Sequence, residues 1–427
     1  TTAQDYQLLV TPSYGSNSIV DLLTLGFGGY TFLDSVLSAG AIYTHVGQVG
    51  SNIDGEANWD YSGCSVSLSG DGSVVAIGAR GNDGTFGDVG HVRVYQNVSG
   101  TWAQVGADID GEAGGDQSGW SVSLSNDGSI LAIGAPYNDG NGSNSGHVRV
   151  YQNVSGTWTQ IGADIVGEAA EDETGWSVSL SSDGSIVAIG ARYNDGTDLN
   201  AGRVRVFQNV SGTWTQVGAN IDGEAFALEH SSHVSLSGDG SVVAIGAPGN
   251  GSVGGSGTAT GHVRVYQNVS GTWTKIGADI DAEVENDRSG HSVSLSSDGS
   301  VVAIGAPEND GSGNNAGHVR VYQNVSGTWT QVGADIDGEA AGDSSGWSVS
   351  LSSDGSVVAI GANLNDGNGS NAGHVRVYKN IGGTWTQAGP DFDGENSNSR
   401  SGISVSLSND GSVVAIGAEF YPGGAGT

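Results

Sequence analysis

One dipeptide, Asp-Gly, returns in the same surroundings seven times, at Asp71, Asp127, Asp183, Asp239, Asp298, Asp354 and Asp410. The steps between copies are 56, 56, 56, 59, 56 and 56 residues, and the longer step holds a Gly-rich insertion at 254–260. A fixed period of roughly 50 residues marks a ring or stack of like units, and that length suits a four-stranded propeller blade. Repetition therefore overrides the two or three separate domains that 427 residues would otherwise suggest.

Within a unit, residues 121–125 alternate Ser with Val and Leu, Asp127-Gly128 makes a tight turn, and Ile130-Leu131-Ala132-Ile133 follows as a nearly unbroken apolar run. The alternation and turn predict a β-hairpin. An apolar run predicts a strand covered on both faces, as neighbouring blades would cover it. A polar loop then leads to His147-Val148-Arg149-Val150-Tyr151, and the turn at 153–156 leads to a fourth strand around Trp158.

The last unit supplies only its first two strands, at 404–408 and 413–418. Residues 48–56 match the fourth-strand register of 104–112, and 30–37 occupy the expected place of a third strand. The predicted fold is thus all-β: a seven-bladed propeller of four-stranded antiparallel blades, its ring closed by N-terminal strands completing the last blade. Closure of that kind removes exposed sheet edges. Residues 1–29 fall outside the repeat as an apolar N-terminal arm, and 30–427 form the propeller.

Gly-Trp-Ser-Val at 119–122, followed by Ile-Gly-Ala-Pro at 133–136 and again at 245–248 and 304–307, resembles the FG-GAP repeat of integrin α-subunit propellers. The resemblance implies an extracellular propeller used in adhesion or assembly. That family's calcium loop is not reproduced: a short Ser-x-Asp-Gly-Ser turn stands in its place, and one carboxylate cannot supply the six to eight oxygens calcium takes.

Other features recur once per unit. Asn-Asp pairs place Asp83, Asp139, Asp195, Asp310 and Asp366 in oxygen-rich loops on one rim; both a plain Asx turn and a calcium site fit the pattern, and the turn needs fewer groups. Arg93, Arg149, Arg205, Arg264, Arg320 and Arg376, with Glu112, Glu168, Glu224, Glu283, Glu339 and Glu395, predict a repeated ion pair within or between blades. His91, His147, His262, His318 and His374 sit one to a blade, too far apart to share one zinc. Trp102, Trp158, Trp214, Trp273, Trp329 and Trp385, together with Trp120, Trp176 and Trp347, predict packing between sheets. Asn97, Asn153, Asn209, Asn268 and Asn324 open Asn-Val-Ser turns, and Asn141, Asn250 and Asn368 open Asn-Gly-Ser; all eight fit the N-glycosylation acceptor pattern.

Acidic residues outnumber Lys and Arg by 46 to 13, giving a net charge of −33 that repels nucleic acid and anionic membranes. No apolar run reaches the roughly 18 residues of a membrane span. Cys64 is the only cysteine, so no intrachain disulfide forms. No nucleophile, phosphate loop or metal spacing stands out, and a site would be expected to show as one blade breaking the pattern. The predicted protein is therefore not an enzyme and holds no cofactor unless calcium fills the rim loops. It is read as an extracellular or cell-surface structural or adhesive block of a layer, fibre or appendage. Its partners would be copies of itself, other matrix or surface proteins, and glycans. The alternative is a binding module that recognises carbohydrate or protein through rim loops.

Overall fold

A computed structural model describes residues 18–26, 45–84, 87–196, 199–223, 233–249 and 260–419. The fold is an all-β propeller. Among the described residues no helix is long and apolar enough to cross a membrane.

Six blades are each one contiguous stretch of chain. The blade containing Asp127 runs Ser121–Leu124, Ile130–Ala135, His147–Val154 and Thr157–Gln160, antiparallel throughout. A two-residue strand, Ile165–Val166, then pairs with the start of the third strand, so the outermost strand is made in two pieces. The tight turn is closed by its own side chains: Ser125 Oγ donates to Asp127 Oδ1 at 2.7 Å and accepts from the Ile130 amide at 2.9 Å. That pairing satisfies the turn and sets the register of the hairpin.

Every residue of Ile130–Ala135 is buried. Ile130, Ala132, Val148 and Val150 pack against Val178, Leu180, Val187 and Ile189 of the next blade. Each such side chain contributes at most about 1.5–3 kcal/mol relative to exposure, so the apolar layers between sheets supply the main cohesion.

A seventh sheet is composite. Ser401–Leu407 pairs with Val413–Glu419, which pairs with Ser18–Gly26, and that strand pairs in turn with His45–Gln48 and Ile53–Asp54. The seven-bladed expectation, with 30–53 completing the last blade, is thus corrected to six contiguous blades and one sheet drawn from both ends of the chain. The third strand of that sheet is Ser18–Gly26, within the stretch read as an arm, whereas residues 30–37 lie outside the described residues. The physical reason is that residues 18–26 are rich in β-branched Ile, Val and Thr and in Leu, as a strand paired on both sides can be, but lack the signature that marks the other third strands. Ile19 and Thr24 pair with Ala418 and Val413, as His91 and Gln96 pair with Ala79 and Val74.

The inner hairpins also bond sideways to one another. Backbone N–H groups of Gly70, Asn126, Ser182, Gly238, Ser297, Ser353 and Asn409 each donate at 2.8 Å to the carbonyl of the next in that series, and Asn409 donates to Gly70. A parallel set runs from leucine amides to serine hydroxyls, such as Leu124 N to Ser67 Oγ at 2.9 Å and Leu68 N to Ser406 Oγ at 3.0 Å.

Candidate functional site

The inner strands begin at one end of the central axis, and there the units stop resembling one another. Two residues before the shared Val, successive units carry Cys64, Trp120, Trp176, Ser232, His291, Trp347 and Ile403; Ser232 lies outside the described residues. Directly after the shared Gly-Ala of the second strand they carry Arg80, Pro136, Arg192, Pro248, Pro307, Asn363 and Glu419. Cys64, Trp120, Trp176, His291, Trp347 and Ile403 of the first set, with Arg80 and Glu419 of the second, meet around a pocket of about 410 Å³.

Close packing beneath the pocket fixes its walls. A Cβ at Gly134 would lie 2.1 Å from the Gly175 carbonyl, so only glycine lets the second strand approach the next blade here. Ser121 Oγ donates to that same carbonyl at 2.8 Å, and Ser65, Ser292, Ser348 and Ser404 repeat the bond at their own junctions. His233 stands where the equivalent serine would be.

Aromatic rings form an arc around the pocket. Trp120 and Trp176 lie 4.4 Å apart between centroids, His233 and His291 5.2 Å, and His291 and Trp347 4.4 Å. The Arg80 guanidinium sits 4.6 Å from the Trp120 ring centroid and that of Arg192 4.2 Å from Trp176. Arg80 also donates to both carboxylate oxygens of Glu419, at 2.9 and 3.0 Å. Burial raises the Glu419 carboxyl against the opposing pull of Arg80. Burial, reinforced by Arg192, lowers His233 to about 4, and burial with His233, Arg288 and Arg192 nearby holds His291 well below the usual range. At neutral pH both imidazoles are therefore uncharged, and the positive charge lining the pocket lies on Arg80 and Arg400, with Arg192 stacked on Trp176. Burial pushes the Cys64 thiol up to about 11, which removes it as a thiolate nucleophile at neutral pH.

Trp120, Trp176 and Trp347, expected between sheets, are thus half-buried pocket residues. The other six tryptophans do pack between sheets, their indole N–H reaching across: Trp158 Nε1 donates to Val105 O of the preceding blade at 2.9 Å. The recurring arginines bridge the same seams. Arg149 donates to Asp110 O at 2.9 Å and lies 3.6 Å from Glu112, and Arg93, Arg320 and Arg376 repeat this with Glu56, Glu283 and Glu339. Arg205 donates to Val166 O, whereas Arg264 pairs with Asp279 of its own blade at 2.8 Å. Glu168 pairs with Arg203, Glu395 accepts from Asn52, and Glu224 lies outside the described residues. The histidines stay one to a blade, but each faces two carboxylates.

The rim carboxylates serve their loops: Asp83, Asp139, Asp195, Asp310 and Asp366 accept from the amides of Asp88, Asn144, Asn200, Asn315 and Asn371. Among the acceptor-pattern asparagines, Asn97, Asn153, Asn209, Asn268 and Asn324 accept a turn amide through Oδ1. Asn141 and Asn368 instead donate their Nδ2 to Gly167 O and Gly394 O. Asn250 lies outside the described residues.

Alignment of the units column by column would have exposed the pocket, because divergence is spread over all blades at two positions rather than gathered in one blade.

This geometry defines the class as a β-propeller with a polar aromatic hub. The chain carries FG-GAP repeats: the FG-GAP repeat family model matches residues 98–151 and 334–378. In structure it is similar to a candidate 6-phosphogluconolactonase from Bacteroides uniformis, at TM-score 0.54 and 14% identity over 88% of this chain and 97% of that one. It is also similar to the periplasmic gluconolactonase PpgL of Pseudomonas aeruginosa, at TM-score 0.53 and 16% identity over 89% and 98%. No curated protein is matched by its sequence. At such identities the likeness establishes the fold. It also overturns the exclusion of enzymes, because propellers of this shape carry lactonase names and regular units give no ground against catalysis.

Proposed function

We propose that this chain is an extracellular ligand-binding propeller whose hub takes an anionic sugar, such as a uronate-containing glycan. The observation that carries this reading is the aromatic arc set beside guanidinium groups. Indole and imidazole faces offer stacking surfaces for the C–H faces of a pyranose, and guanidinium forks suit a carboxylate. Two of the chain's 13 Lys and Arg residues, Arg80 and Arg400, line this one pocket and a third, Arg192, stacks on its Trp176, in a protein of net charge −33. Such a local reversal of sign favours an anion there and repels it elsewhere. The building-block reading rests on the near-identity of the units, from which the hub positions depart; part of the apolar arm, Ser18–Gly26, pairs on both sides within the composite sheet. We also propose that the composite sheet serves as a seventh blade fastened by the N-terminal strands; the circle of inner backbone hydrogen bonds supports this.

Calorimetric titration of the full chain with oligogalacturonate and with its neutral methyl ester tests the hub. Binding of the acid form alone, weakened at least about tenfold (about 1.4 kcal/mol) by Trp176→Ala, is expected. Failure to bind either form, or binding unaffected by Trp176→Ala, rejects the assignment. Turnover is a second reading, favoured by the buried Glu419 carboxyl at the pocket edge; NMR of glucono-δ-lactone with and without the protein shows whether the lactone opens faster.

A further inference from the structure

Each seam between sheets carries a second constellation, away from the hub. In the blade containing Asp127, His147 is 2% exposed and its Nδ1 lies 3.9 Å from both Glu112 Oε2 and Asp164 Oδ2. Those contacts are too long for hydrogen bonds. The same arrangement recurs with Glu56, His91 and Asp108; Glu283, His318 and Asp335; and Glu339, His374 and Asp391, the three donor atoms lying within 4.8 Å of one another in each. Glutamate comes from the end of one sheet, histidine and aspartate from the next.

We propose that these four seam clusters bind divalent transition-metal ions that tie neighbouring sheets together. Donors about 2.0–2.2 Å from a common ion stand up to about 4 Å from one another, and the imidazole-to-aspartate distances of 3.9–4.0 Å already meet that spacing, so an ion needs only a small closing of the exposed glutamate. The aspartates are already oriented: Gln104, Gln160, Gln331 and Gln387 donate to Oδ1 of Asp108, Asp164, Asp335 and Asp391 at 2.5–2.6 Å, leaving Oδ2 turned to the imidazole. Outer-shell bonds of this kind are how proteins aim metal ligands. The glutamates are about half exposed, so an ion can enter from solvent.

Two of the three altered seams supply the second argument. Where histidine is replaced by Arg203, the matching aspartate is Asn220, and the guanidinium itself bonds Glu168 and, at 2.5 Å, Asp222. Where glutamine is replaced by Lys275, its ammonium lies 2.7 Å from Asp279, which also accepts from Arg264. A side-chain cation thus occupies the place in both of these seams; in the third, at the composite sheet, the aspartate is replaced by Asn52, which donates to Glu395. In the four regular clusters, two carboxylates meet an uncharged imidazole and one seam arginine, which is tied to a backbone carbonyl; a net negative charge is left for an external cation. One nitrogen and two carboxylates suit zinc, cobalt or nickel rather than calcium, which prefers an all-oxygen shell.

Native mass spectrometry and calorimetry of the EDTA-treated full chain with zinc chloride test the proposal. Four bound zinc ions are expected, with a raised melting temperature. The variant H147R/D164N, which copies the arrangement at Arg203, should bind three while melting in EDTA like the unaltered protein. Zinc failing to bind, the variant still binding four, or calcium binding at the same stoichiometry in place of zinc would each overturn it.

Discussion

Seams and hub are built from the same repeat and obey opposite rules. At the seams, successive blades reuse one set of residues, so Trp158 and Arg149 reach the preceding blade as Trp385 and Arg376 do. At the hub, equivalent positions range from Cys64 to Trp120 to His291. The difference follows from packing. A seam residue is enclosed by two sheets whose spacing allows one volume, whereas the first residue of an inner strand faces a pocket that accepts several. Repeated seams are thus fixed by packing, whereas the hub positions are free to differ.

The composite sheet is where this division is most exposed to test. At the register of Arg93, its third strand carries Asp21, paired with Ile416. The seam it forms with the preceding blade has Asn52 donating to Glu395 in place of the arginine clamp. If uniform seams hold the ring, this one depends most on its backbone ladder. A chain lacking residues 1–26 should lose its single cooperative unfolding transition, the largest effect expected here. Leu22→Pro, which removes an amide from the ladder, should cost about 3 kcal/mol or more. Calorimetry that returned an unchanged midpoint for both would show that the N-terminal strands do not fasten the ring.

Next in size is a hub residue that behaves as a seam. Arg80 binds Glu419 across the junction between the composite sheet and the first contiguous blade, and the Glu419 side chain is 3% exposed. Arg80→Ala leaves that carboxylate buried without its partner, and a loss of about 3 kcal/mol is expected. Adding Glu419→Gln should recover part of the loss, because a neutral amide is cheaper to bury. Urea unfolding of both variants and the double variant decides it: additive losses would mean that the two groups are not coupled.

Much of this was legible in the sequence because the seams repeat. Seven Asp-Gly turns gave the unit, the alternation at 121–125 gave the inner strand, and the paired recurrence of Arg and Glu pointed to ion pairs that the seams contain. Ser18–Gly26 was not legible as a third strand because it lacks the His-Val-Arg-Val-Tyr signature of its counterparts. Its composition suited a strand paired on both sides, but its distance from the C-terminal hairpin in sequence hid the strand it pairs with there. The hub was missed for a different reason. Trp120 and Trp176 recur like the seam tryptophans, and periodicity alone does not separate a ring between sheets from one at a strand's open end. The seam histidines were judged against one another, when the partners that matter are carboxylates brought in by the adjoining sheet.

The smallest expected effect separates hub from seams by pH. His233 is held at about 4 by burial and by Arg192, below the ordinary value of 6.5. Its folded form therefore resists a proton that the unfolded chain accepts. The stability linked to this group is complete above pH 6.5 and is lost as pH falls from 6.5 toward 4, by at most about 3 kcal/mol. Burial sets it first and Arg192 second, and the neighbouring His291 is itself disfavoured from taking a proton by burial and by His233. Replacing His233 with Gln takes away one such proton without removing the seam histidines, which are lowered by burial and by their neighbouring arginines. Urea unfolding at pH 7, 6, 5 and 4 should show a shallower decline for His233→Gln than for the unaltered chain. Parallel curves would place the acid sensitivity in the seams, and the hub imidazoles would then be reached by solvent well enough to titrate normally.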